Sequence, residues 1–436
     1  MLHRLPLMVL ALAILVAWGL HALTEWPASR PLAAQTEPFS ADAGLREKDI
    51  AFYEMRATAD TMSAADLAQL AQLYLQRARE TGAVEDYGRA EESARRSLTL
   101  RADRNGKAAL ARASSLLALH QFPEALEAAS GLCTDYADRP SYCALLGEIQ
   151  LEMGDYAAAR ATFDALAPFR ANLGVAPRVA RWYEITGRTA DAFDLLRAAR
   201  AEAVQRPDLP REQVAWFHLR VADSALRNGR LKEAERAFRE GLRVEPADVR
   251  LLSGMARLSA VRHDWTSAIA YGERTGERAD VATLALIGDA HAALRDSAAA
   301  ETYFQKVEQA ARENPEPFNR QWTLFRLDHA REIPATVALL RDEIRVRQDV
   351  YGWDQLAWGL YHAREYRAAH EAMQQALRMG TNDAVLCFHA GLIERALGNH
   401  ADAERHLRAA LAANPHFHPT FPARARAVLD SMEAGR

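Results

Sequence analysis

Histidine is the residue type here with the widest chemical reach. Eight of the 14 histidines (His329, His362, His370, His389, His400, His406, His416 and His418) lie after residue 320. His416 and His418 stand in NPHFHP as an HxH pair, a spacing that can hold copper or zinc. Carboxylates are abundant enough for acid–base pairs to arise by chance. No HExxH, GxSxG, phosphate-binding loop or Cys–His nucleophile pattern accompanies them. The histidines therefore read as surface and core side chains. No cofactor is expected, and His416 and His418 are kept as weak metal candidates. The three cysteines, Cys133, Cys143 and Cys387, form no CxxC, CxxCH or zinc spacing. Cys133 and Cys143 fall near the end of one expected helix and the start of the next. They are either a disulfide in an exported protein or two small buried thiols.

The elements that carry these residues must fit a long chain. At 436 residues it exceeds what one compact core usually supports, whereas a repeat array escapes that limit by burying each unit only against its neighbours. The sequence is 49 % hydrophobic and 26 % charged, which argues against extensive disorder. A net charge of −4 supplies no basic footprint, so nucleic acid is excluded as a partner. Of the 54 basic residues only Lys48, Lys107, Lys232 and Lys306 are lysine. The arginines spread along the whole chain, which fits the codon usage of a GC-rich genome better than a dedicated anion site.

Residues 1–24 read as an export segment. His3, Arg4 and the amino terminus give a positive start, and Leu5 to Leu20 form an apolar run. That run suits a signal-peptide core better than a full span of roughly 20 residues, although extension through Leu23 allows a signal anchor. Cleaved signal and uncleaved anchor, with membrane contact through residues 5–23, both remain open. Either puts the rest of the chain outside the cytoplasm. Residues 25–45, with three prolines, read as a flexible linker.

From residue 46 the apolar spacing is helical. A short turn recurs, followed by a small residue opening a second helix: GDYAAA at 154–159, GRTADA at 187–192, GRLKEA at 229–234, HDWTSA at 263–268, REYRAA at 364–369 and GNHADA at 398–403. HQFPEA at 120–125 and RDSAAA at 295–300 are weaker copies. Their final alanines are Ala125, Ala159, Ala192, Ala234, Ala268, Ala300, Ala369 and Ala403, mostly 32 to 34 residues apart. One wider gap holds the insert QRPDLP at 205–210, and one double gap hides a degenerate copy containing REIPAT.

This pattern resembles the tetratricopeptide repeat. Twelve residues before the small residue stand Gly147, Ala180, Ala222, Ala256, Gly288, Ala357 and Gly391, where the family prefers Gly or Ala. Four residues after it stand Phe163, Leu196, Phe238, Phe304, Met373 and Leu407. Pro246 and Pro415 match the helix-ending proline. The segments LDHARE, RQDVYGWD and 377–400 are similar to the C-terminal part of bacterial extracytoplasmic tetratricopeptide proteins. The resemblance implies an all-α, right-handed superhelical solenoid of about ten antiparallel helix pairs over residues 46–415. Residues 416–436 then form a capping helix, with Ala425, Val428, Leu429 and Met432 on one side.

The resemblance also implies a protein or peptide partner held in the concave groove. No stretch is left for an appended catalytic domain, so no enzymatic activity is expected. Projected onto the repeat, the partner-binding residues are Arg181, Trp216, Arg227, Arg257, Trp358, Tyr361, His362 and Arg395. Aromatic residues concentrate between 318 and 366, and of these Trp358 and Tyr361 are the expected contact anchors, with Phe325, Trp353 and Tyr366 assigned to the core. Two other readings are a metal carrier using the C-terminal histidines and a cell-wall polysaccharide module with groove aromatics stacked on sugars.

Overall fold

The computed structural model describes residues 41–313 and 319–434. The expected export segment and the membrane contact at 5–23 lie outside the described residues. Among the described residues no helix is long and apolar enough to cross a membrane. The described residues from 46 onward belong to one compact unit. Helix α1, Ala41–Ala59, begins inside the stretch read as a linker, because ADAGLREKD holds no proline and is rich in helix formers.

Ten antiparallel helix pairs follow among the described residues. They are α2 Ala64–Thr81 with α3 Val84–Leu100, α4 Gly106–Ala118 with α5 Phe122–Asp135, and α6 Pro140–Met153 with α7 Tyr156–Ala165. Next come α8 Ala176–Ile185 with α9 Thr189–Val204, α10 Arg211–Arg227 with α11 Leu231–Val244, and α12 Val249–Val261 with α13 Trp265–Glu273. The last four are α14 Val281–Ala293 with α15 Ser297–Glu313, α16 Arg320–Asp328 with α17 Ile333–Glu343, α18 Val350–His362 with α19 Tyr366–Leu377, and α20 Ala384–Ala396 with α21 His400–Ala413. Helix α22, Phe421–Ala434, closes the series and buries Ala425, Leu429 and Met432.

The small and large positions of the repeat explain the stacking. All eight helix-opening alanines are buried. A methyl added at Gly147 would meet the Phe163 ring at 2.7 Å, and one at Gly391 would meet Leu407 at 2.6 Å. Gly288 stands in the same relation to Phe304. In each case the small residue of the first helix and the large residue of the second are 16 positions apart. The ring fills the space that the missing side chain leaves, so the two backbones approach closely.

Turn chemistry sets the helix boundaries. Asp248, Asp280, Asn319, Asp349 and Asp383 accept hydrogen bonds from the opening amides of five successive first helices, α12 to α20. Each such cap contributes about 1 kcal/mol. Between paired helices the backbone turns through a left-handed residue. In some copies this residue is glycine; in others it is His120, His263, Arg295 or Arg364. The degenerate eighth pair uses two, Ala330 and Glu332, ahead of Pro334, which is tolerated in the first turn of α17.

The stack coils back onto itself, and this was not foreseen from the sequence. The turn after α6 meets the segment entering α18: the Gln348 amide donates to the Met153 carbonyl at 3.1 Å, and the Val350 amide donates to the Tyr156 hydroxyl at 2.7 Å. Arg347 pairs with Glu152 across the same contact. One unit further on, the Thr381 hydroxyl donates to the Ile185 carbonyl at 2.6 Å. Beyond that, the Asn414 amide donates to the carbonyls of Leu226 and Arg227 at 3.0 and 3.1 Å. The turns of the third, fourth and fifth pairs thus abut, in that order, three consecutive loops of the C-terminal pairs. Glycine is needed twice over at these turns. Gly154 and Gly187 have φ of 78° and 77°, and a Cβ on Gly187 would lie 2.5 Å from the Gly380 carbonyl oxygen.

Candidate interaction surface

The first helices touch the first helices of neighbouring pairs along most of the stack, so their side chains make a nearly continuous face. Two clusters dominate it. The first spans α8 and α10. Arg227 donates to a Glu184 oxygen at 2.7 Å, while Arg181 and Arg220 approach the same carboxylate at 3.7 and 3.9 Å. Burial raises the Glu184 pKa, but the charges of Arg227, Arg220 and Arg181 outweigh it and hold the group below its ordinary value. Arg181 also lies over the Tyr351 ring at 4.8 Å, which brings α18 against α8. Arg257, on α12, continues the row by donating to Asp223 at 2.7 Å.

The second cluster is aromatic and acidic. Trp358 stacks on His389 at 4.1 Å and on Tyr361 at 5.0 Å, and His362 meets it edge-on at 4.4 Å. The indole nitrogen donates to Asp328 at 3.0 Å, and His389 pairs with the buried Asp354 at 2.9 Å. Burial, His389 and Arg424 together push the His362 pKa down to about 4. Burial and the neighbouring Asp328 raise that of Asp289 to about 7.

The expected contact residues divide accordingly. Arg181, Arg227 and Arg257 lie together on the first-helix face, each already paired with a carboxylate. Trp216 is partly buried, packed edge-on to Phe217 at 5.1 Å. Trp358 departs from the expectation of an exposed anchor. It is 1 % exposed, because rings on both sides and the Asp328 hydrogen bond draw it into the core. Tyr361 and His362 are half-buried at its edge, and the Tyr361 hydroxyl accepts from Arg424 of α22 at 3.4 Å. Arg395 is half-buried near the end of α20.

The C-terminal HxH does not close into a site. His416 is exposed, its amide bonded to the Asn414 side chain, while His418 stacks on Phe421 at 3.7 Å. Among the described residues no group of three or more His, Cys, Asp or Glu side chains is placed to hold an ion. Cys133 and Cys143 are joined as a disulfide linking α5 to α6, which decides between the two readings left open by the sequence. A hollow of about 230 Å³ lies between α19, α20 and α21, lined by His370, Glu394 and His406. It is smaller than the ~300–1,000 Å³ of most ligand cavities.

The sequence family model for the tetratricopeptide repeat matches residues 110–174, 219–282 and 355–416. The chain carries tetratricopeptide repeats. The stretches between the matches, 175–218 and 283–354, include the polar insert near 205–210 and the degenerate pair α16–α17, where a tetratricopeptide turn is replaced by REIPAT. No curated protein sequence matches. Similar solved structures include the Cut9–Hcn1 hetero-tetramer of the APC/C, 15 % identical, with 88 % of this chain and 94 % of that one covered at a TM-score of 0.33. PilW, a widely conserved type IV pilus biogenesis factor, is 17 % identical, with 60 % of this chain and 97 % of that one covered at a TM-score of 0.33. Likeness at that score carries no argument about function. Tetratricopeptide proteins are interaction scaffolds, and the class of this one follows from its repeats.

Proposed function

We propose that this tetratricopeptide-repeat protein works outside the cytoplasm as a scaffold that holds a segment of another protein along its first-helix face. The observation that carries the reading is the row of charged side chains on α8, α10 and α12. Arg227 and Arg257 are exposed there and contribute nothing to the apolar core between the pairs. Charged side chains held in fixed ion pairs give a surface that is ordered before a partner arrives, which lowers the entropic cost of association. The Cys133–Cys143 disulfide supports an oxidising compartment, in keeping with the export segment expected at residues 1–24.

The two other readings gain no such support. Trp358, buried on both ring faces, is not available to stack on a sugar. His416 and His418 have no third ligand beside them among the described residues.

The test is photo-crosslinking in the producing cells. A photoreactive residue placed at Arg257 or Arg395 should capture one defined protein band. The same residue at Arg236 or Arg367, exposed on second helices, should not. Equal capture from both sets would refute the first-helix face as the binding surface.

A further inference from the structure

The HxH pair closes no metal site, and its second histidine is spent on α22 instead. The His418 Nδ1 accepts from the backbone amides of Thr420 and Phe421 at 3.2 and 3.4 Å, where the Thr420 carbonyl starts the helical ladder by accepting from the Arg424 amide. The Thr420 hydroxyl lies 3.2 Å from the same nitrogen. A backbone amide can only donate, so Nδ1 holds a lone pair and the ring proton of the neutral imidazole is on Nε2. The imidazole thus does the work that Ser, Thr or Asn does at an ordinary helix start. Those side chains keep their acceptor at every pH, whereas an imidazole loses it on protonation. A cation at this end also opposes the helix dipole.

The surroundings offer such a charge little compensation. His418 is half-buried and stacks on Phe421 at 3.7 Å, and Phe421 stacks on Phe388 of α20 at 4.6 Å. Phe421 also lies edge-on to Trp358 of α18 and His389 of α20. The acids nearby are already engaged: Asp354 of α18 pairs with His389, and Asp328 of α16 accepts from the Trp358 indole. Two more imidazoles face the same ring cluster, His362 of α18 and His389, and the Nε2 of each is buried without a hydrogen-bond partner. Arg424 of α22 adds a fixed positive charge beside the Tyr361 hydroxyl. From α21 comes Arg408, which pairs with Glu433 near the far end of α22, while His416 is exposed. Burial and then His389 hold the His418 pKa down to about 3; burial, His389 and Arg424 hold that of His362 down to about 4.

We propose that His418 is an acid-released latch: protonation withdraws the acceptor that starts α22, and the helix leaves the end of the stack while the repeats stay folded. Departure uncovers Phe388 and the rest of the apolar cluster that Ala425 and Leu429 now cover. It also opens His362 and His389 to water. Protons refused while α22 is docked are taken up once it is free, so docking is tightest above pH ~6.5 and weakens below it. The balance shifts by up to about tenfold per pH unit for each histidine that is charged only in the free state. The latch is independent of which segment the first-helix face holds.

The test is hydrogen exchange read by mass spectrometry on the full chain in a neutral detergent, between about pH 7.5 and about pH 5.5. Rates are divided by those of an unstructured amide at the same pH, which removes the intrinsic pH dependence. Protection of residues 421–434 should fall at least about tenfold over that range, while α10 to α13 keep theirs. In H418N the amide oxygen supplies an acceptor in place of Nδ1 and nothing there titrates, so the fall should be about tenfold smaller. Protection of α22 that does not change with pH, or H418N falling as steeply as wild type, would overturn the latch. If H418N leaves α22 unprotected even at about pH 7.5, wild type decides. Loss confined to α22 supports the latch; loss shared equally by α10 to α13 is ordinary acid unfolding and overturns it.

Discussion

Thr381 and Ile185 are 196 residues apart in sequence, yet the hydroxyl of the first donates to the carbonyl of the second at 2.6 Å, with both residues buried. A linear repeat array makes contacts only between neighbours, and this bond belongs to a different level of organisation. With the Met153–Gln348 and Leu226–Asn414 contacts it forms a seam between successive coils of the stack.

The seam can be weighed by two glycines with the same backbone. Gly187 and Gly398 both sit at positive φ, 77° and 82°, but only Gly187 faces another chain segment. Gly398→Ala should cost about 1–2 kcal/mol, the backbone term alone. Gly187→Ala should cost about 1–3 kcal/mol more, from overpacking against the Gly380 carbonyl. Urea unfolding of the two variants measures the difference, and equal midpoints would mean that the seam contributes nothing.

Packing inside the repeat should be less forgiving. Phe238 is fully buried and lies against Gly254 of the following first helix. Phe238→Ala should cost about 3–5 kcal/mol. The loss should be local to α10–α13, because each pair leans mainly on its neighbours. Hydrogen exchange followed by mass spectrometry should show faster exchange there than in α2–α5.

The Cys133–Cys143 disulfide closes a short loop between adjacent helices. Cys143→Ser should lower stability by about 3 kcal/mol, as expected for a loop of roughly this length in the chain-entropy account. Reductant should bring wild type down to the level of the variant and leave the variant unchanged. A wild type indifferent to reductant would argue for free thiols.

Acid should act through His362 and His418, whose pKa values are pushed down to about 4 and about 3, first by burial and then by His389. Between pH ~6.5 and those values the unfolded chain binds protons that the folded chain refuses. The stability they confer is therefore present above pH ~6.5 and lost as pH falls. Asp289 works in the opposite direction: raised to about 7, it holds a proton in the folded state that the unfolded chain releases until about pH 4. From pH 7 to 5, the fall in Tm should be shallower in H362Q than in wild type and steeper in D289N. Parallel curves for all three would show that neither group is perturbed.

Much of the fold was legible because tetratricopeptide stacking depends on residue size at fixed spacing. The pairs Gly147–Phe163 and Gly288–Phe304 carry the packing rule in their identities alone. The C-terminal helix was equally plain from Ala425, Leu429 and Met432. The contact face was harder to read. Trp358 occupies a position where an exposed ring and a buried one look alike, and its burial depends on His389 in the next pair and Asp328 in the previous one. Asn414 stands next to the helix-ending Pro415 and carried no signal of its own. Its amide reaches Leu226, and no local pattern encodes a partner 188 residues away.

The seam has a consequence for how such a chain can change over time. Open arrays lengthen or shorten by whole units with little penalty, since a new pair meets the same neighbours as the old one. Here Gly154, Gly187 and Gly229 must arrive opposite Gln348, Gly380 and Asn414. Losing or duplicating any pair between Gly229 and Gln348 would put all three out of phase together. The number of pairs in that interval is thereby locked. Variation is channelled instead into the tail beyond Asn414 and into inserts such as 205–210, which lengthen a loop without adding a pair.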